Sequence, residues 1–234
     1  MSAGHGMRKQ ILTWSCILLS FALQAQITQR SELGFGLGMF TYTGDLKRTY
    51  SLSASRPAAT AFYRANISKV ISFKTALTGG KLAASDNRQP IDPFAEQRDA
   101  SFNIFLLEGS TTFEYHFLDW RDDKRRLRFT PFLFAGLSMF GISGVENKTS
   151  EYSNVQLAIP FGGGMKYVLN PKWYIAFEVG IRKTFFDYLD NISDENQAFK
   201  NYQYGNKYDN DNYFFTGISI TRTFYDIPCA KNPY

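Results

Sequence analysis

Eight hydrophobic stretches in this chain repeat with a period of two, the signature of strands whose alternate side chains face opposite sides of a sheet. They fall at residues 32–43, 57–68, 71–82, 102–117, 127–141, 155–169, 172–186 and 213–225. The gaps between them alternate in length. Residues 44–56, 83–101, 142–154 and 187–212 are long, whereas 69–70, 118–126 and 170–171 are short, so every odd gap is expected to exceed every even one. In a membrane-spanning up-and-down barrel the periplasmic turns are short and the external loops are long. A soluble sandwich has no reason to sort its loops in this way. Each stretch reaches the ~9–11 residues that carry a tilted strand across a bilayer. The expected fold is all-β: an eight-stranded antiparallel up-and-down transmembrane β-barrel with short periplasmic turns and long extracellular loops.

The N-terminus reads as an export signal. Arg8 and Lys9 supply the positive start, residues 11–23 form an apolar core, and Ala25 is a suitable last residue before cleavage. The apolar run is shorter than the ~20 residues that a membrane helix needs. The expected organisation is a signal peptide at 1–25 and one outer-membrane barrel domain at 26–234. Cys16 lies inside the signal core, so Cys229 is the only cysteine of the mature chain and no internal disulfide can form. The high aromatic content, 17% with 22 Phe and 14 Tyr, favours strands over helices. The net charge of +5 does not point to nucleic acid, because basic and acidic residues are interspersed and the chain is exported.

Parity assigns the faces. Leu107, Phe113, Tyr115 and Phe117 share one side of the fourth stretch, and Glu108, Ser110, Thr112, Glu114 and His116 share the other. If the apolar parity meets lipid, then Glu108, Glu114, His116, Lys166, Glu178 and Arg182 line the lumen. An eight-stranded barrel is just wide enough inside to be filled by side chains. Buried charges must then pair. Glu178 and Arg182 lie ~13 Å apart along one strand, so their partners are expected on neighbouring strands. Tyr115, Tyr167, Trp173 and Tyr225 are candidates for an aromatic girdle at the lipid headgroups. The charged connection Arg121, Asp122, Asp123, Lys124, Arg125 and Arg126 is a candidate contact surface on the periplasmic side.

No chemistry stands out. His116 shares its face with Ser110 and Thr112, too far along the strand for a nucleophile and base to meet. Asp187, Asp190, Asp194, Glu195, Asp209 and Asp211 match no calcium-loop spacing and read as a solvated acidic loop. The Gly162, Gly163 and Gly164 run lacks the lysine and helix of a phosphate cradle and reads as a kink or close packing within a strand. No catalytic residue, metal or cofactor is expected.

Several blocks resemble the PorG-like outer-membrane proteins of Bacteroidetes. They are ELGFGLG at 32–38 followed by YTGDL at 42–46, LEG at 107–109 with FEY at 113–115, and TPFLFAG at 130–136. IPFGGGMKY at 159–167 is the strongest, continuing to EVGIRKT at 178–184 and DYLDNIS at 187–193. The resemblance implies a non-catalytic barrel of the cell outer membrane that serves the type IX protein secretion system. There it would tie a periplasmic ring, a lipoprotein and its partner protein, to the outer membrane, with outer-membrane lipid as its other partner. The alternative is a small porin-like or ligand-binding barrel without a secretion role.

Overall fold

A computed structural model describes residues 30–44, 50, 55–85, 101–119, 128–144, 153–185, 189 and 211–224. Two units divide the chain, Ser31–Phe224 and a second made of Met1–Arg30 with Tyr225–Tyr234. The export signal, the 121–126 turn, Tyr225 and Cys229 lie outside the described residues.

Ser31–Phe224 is a closed barrel of eight strands in sequence order. They are β1 (Arg30–Thr43), β2 (Arg56–Asn66), β3 (Ile71–Ser85), β4 (Ser101–His116), β5 (Phe129–Ser143), β6 (Val155–Asn170), β7 (Trp173–Thr184) and β8 (Asn212–Phe224). The pairings are antiparallel, and β1 closes on β8 from Ser31↔Phe224 to Thr43↔Asn212. Closure leaves no unpaired strand edge, the condition for a sheet to enter hydrocarbon.

Alternation sets which side chains face out. In β4 the burial pattern alternates almost without interruption, with Glu108, Ser110, Thr112, Glu114 and His116 inside and Leu107, Phe113 and Tyr115 outside. The outer surface carries Leu33, Phe35, Leu37, Leu77, Leu137, Leu157, Phe177 and Ile218, each about half exposed or more. So much exposed apolar area has no place in water, but it is the natural surface toward lipid. Tyr115, Tyr167 and Trp173 sit outward at the short-turn end, with Tyr115 edge-on to Phe117 at 5.2 Å.

The gap rule needs a correction. β5 starts at Phe129 and ends at Ser143, about two residues later than its apolar pattern suggests. The pairs Phe129↔Tyr167 and Phe105↔Ser143 set these ends. The 117–128 connection is therefore twelve residues, one longer than 144–154. Pairing partners, not hydrophobicity, decide where a strand stops. The other two even connections, 67–70 and 171–172, remain short.

The triple glycine is packing rather than a kink. Side chains at Gly162 and Gly164 would run into the backbone of β7 and into the Phe134 and Phe132 rings, which lie over them inside the barrel. The irregular pairing is further along β6, between Val168 and Asn170.

Candidate functional site in the barrel lumen

The inward rows of β1, β2, β3, β4, β6 and β7 place eight charged side chains in the lumen, four acidic and four basic: Glu32, Glu108, Glu114 and Glu178 with Arg64, Lys74, Lys166 and Arg182. Among the described strand residues these eight balance, and Asp211, just before β8, is a further buried acid. Balance matters because an uncompensated charge in such a low-dielectric interior is very costly.

Glu114 is the centre of the group nearer the short turns. Arg64 holds it in a fork, with Nε 2.9 Å from Oε2 and Nη2 donating to Oε1 at 3.1 Å. Lys166 Nζ donates to Glu114 Oε2 at 2.7 Å. The third face of Arg64 is used as well, since Nη1 donates to Glu32 Oε2 at 2.7 Å. Asn66 donates to Glu32 Oε1 at 2.7 Å and accepts from the Ser72 hydroxyl at 2.7 Å. His116 Nε2 is 2.6 Å from Lys166 Nζ, and its Nδ1 is 3.3 Å from the Val70 carbonyl. With Lys166 as the donor, the ring proton sits on Nδ1, facing the Val70 carbonyl in the β2–β3 turn. Both ring nitrogens are thus engaged by groups other than a nucleophile.

The second group lies higher in the lumen. Lys74 on β3 donates to Glu178 Oε2 on β7 at 2.5 Å. Arg182 Nε donates to Glu108 Oε2 at 3.3 Å, and the Tyr213 hydroxyl donates to the same oxygen at 2.5 Å. Rings cover the cations: Phe62 lies 4.8 Å from both Arg64 and Lys74, Phe132 lies 4.9 Å from Lys166, and Phe215 lies 5.3 Å from Arg182. Such contacts strengthen when desolvated.

All six lumen residues expected from parity are inside. Their pairing differs from expectation in one respect. Glu178 and Arg182 approach each other, at 3.9 Å. Their shorter ion pairs go across the barrel to β3 and β4, not to neighbouring strands. A lumen this narrow brings opposite walls within side-chain reach, and long Lys, Arg and Glu side chains span it. Glu32, Arg64 and Lys74 complete the network and were missed. The same alternation marks them, because Glu32 shares parity with Gly34 and Gly36, and Arg64 with Phe62.

Nor is the lumen polar throughout. Toward the long loops it is filled by Phe40, Tyr42, Leu82, Ile104, Leu106, Phe140, Ile142 and Phe215. Phe40 meets Tyr213 and Phe215 edge-on at 5.6 and 5.7 Å. Leu189 joins this cluster and is 1% exposed. Its backbone N–H donates to Asp211 Oδ2 at 2.9 Å, while Tyr42 donates to Asp211 Oδ1 at 2.6 Å. The one described member of the acidic set is therefore a buried clasp for Leu189, whereas Asp187, Asp190, Asp194, Glu195 and Asp209 lie outside the described residues. Among the described residues no cluster of His, Cys, Asp and Glu is arranged to hold a metal.

Solved structures share this architecture. Neisserial surface protein A aligns with a TM-score of 0.52 at 11% identity, covering 83% of this chain and 97% of that one. Ail of Yersinia pestis, solved with the heparin analogue sucrose octasulfate, aligns at 0.46 and 9% identity, covering 85% and 100%. The N-terminal β-barrel domain of Pseudomonas aeruginosa OprF aligns at 0.43 and 13%, covering 84% and 98%. The similarity to Neisserial surface protein A is one of fold, that of an outer-membrane β-barrel. No curated protein matches the sequence significantly. The family is clear, however: residues 8–232 match the domain of unknown function DUF6089, and the chain belongs to that family.

Proposed function

We propose that this outer-membrane barrel is a structural and interaction subunit of the type IX protein secretion system, anchoring the periplasmic ring to the outer membrane. The observation that carries this reading is the filled lumen. Paired charges occupy the lower part, and an apolar plug with Leu189 occupies the upper part. A barrel filled in this way serves as a fixed post in the membrane, not as a conduit. The resemblance to the PorG-like proteins supports the same role, and its blocks contain Glu32, Glu108, Glu114, Lys166, Glu178 and Arg182, six of the eight network charges. The ring contact would use the 121–126 turn together with the C-terminal tail.

Deletion of the gene tests this reading, with loss of export of type IX cargo as the expected outcome. Normal export in the deletion strain overturns the secretion role. The alternative, a porin-like or ligand-binding barrel, is separated by planar-bilayer recording. The filled lumen predicts no steady conductance, and a stable open level would favour transport.

A further inference from the structure

The short-turn end of β7 and β8 carries a group that the lumen does not use. Arg222 points outward, opposite Leu33 on β1 and Trp173 on β7. Its guanidinium packs over two rings, 5.9 Å from the Trp173 centroid and 5.4 Å from that of Phe224. Both rings are partly exposed, at the level of the aromatic girdle. Beside them the β6–β7 turn is held rigid. Asn170 Oδ1 accepts from the backbone N–H of Lys172 and of Trp173, each at 3.0 Å. Thr223 N–H donates to the Lys172 carbonyl at 2.9 Å, and the Tyr174 hydroxyl donates to that of Pro171 at 3.1 Å. These bonds fix the backbone of Lys172 next to Trp173, and its side chain is exposed like that of Arg222. Neither cation has a carboxylate partner among the described residues.

A guanidinium lying on aromatic rings uses its faces for stacking and keeps its in-plane N–H groups free. Those N–H groups form a fork suited to phosphate oxygens. At girdle level the groups that stand opposite are lipid headgroups. We propose that Arg222, Lys172 and Trp173 form a binding site for the phosphate of an anionic phospholipid in the leaflet at the short-turn end. Charge selects the lipid class. A zwitterionic headgroup brings an ammonium that two adjacent cations repel, whereas a phosphoglycerol headgroup brings only the anion and hydroxyls. The site stands whether or not the barrel serves secretion.

Native mass spectrometry of the full chain with equimolar phosphatidylglycerol and phosphatidylcholine tests the proposal. The wild type should retain phosphatidylglycerol several-fold over phosphatidylcholine. Arg222→Ala should bring retention to near parity, and Arg222→Lys should restore only part of the preference, since it keeps the charge and loses the planar fork. Lys81→Ala, at the other end of the barrel, should leave it unchanged and shows that a folded barrel with one fewer surface cation keeps the preference. Equal retention in the wild type, or an unaltered preference in Arg222→Ala, overturns the site. Inorganic phosphate, but not chloride of matched ionic strength, should lower the preference by competing for the same fork, whereas retention of inorganic phosphate with equal retention of the two lipids would assign the site to free phosphate and overturn the lipid assignment.

Discussion

Glu114 is the residue on which the lower lumen turns, because it pairs with both Arg64 and Lys166. Glu114→Gln leaves both cations buried with too few acceptors. The expected loss is about 3–5 kcal/mol, read as a lower midpoint in urea unfolding of the lipid-reconstituted protein. Adding Lys166→Met to that variant removes one stranded charge and should recover part of the loss. Recovery that exceeds simple addition reports the coupling directly. That Glu114 faces inward was legible from the period of two. Its choice of partners was not, because parity gives a side chain's face and says nothing of which side chains on other strands come within reach.

In β6, glycine is placed by the rings that lie over it and by the backbone of β7. Gly164 has no room for a side chain, since a Cβ there would strike the Phe177 carbonyl and the Phe132 ring. Gly164→Ala should therefore destabilise by about 1–3 kcal/mol, the usual range for overpacking. Gly109 faces outward, and a Cβ there meets nothing nearer than the Met139 carbonyl at 4.0 Å. Gly109→Ala should be neutral or stabilising by about 0.4–1 kcal/mol, through the unfolded chain. Equal effects at the two positions would contradict the packing of Phe132 over β6. The shift of β5 along its neighbours belongs here too. Phe129 and Ser143 end the strand because Tyr167 and Phe105 are there to pair with them.

The barrel as a whole is patterned inside out relative to a soluble protein. Leu137 is 68% exposed on the outer face. Leu137→Arg should cost about 2–4 kcal/mol if that face meets the middle of the bilayer, and Phe224→Arg at the rim about 0–1 kcal/mol. Urea unfolding in vesicles measures both, and a negligible cost at Leu137 would exclude burial in lipid. The strand count, the outward belt and the inward charges of β4, β6 and β7 could be read from the residues alone, because they depend only on local alternation and on turn composition. The register in which β1 closes on β8, the Lys74–Glu178 pair across the lumen, and the apolar upper chamber with Leu189 could not. They depend on which distant residues a closed, tilted sheet brings face to face, and that geometry exists only once the barrel has formed.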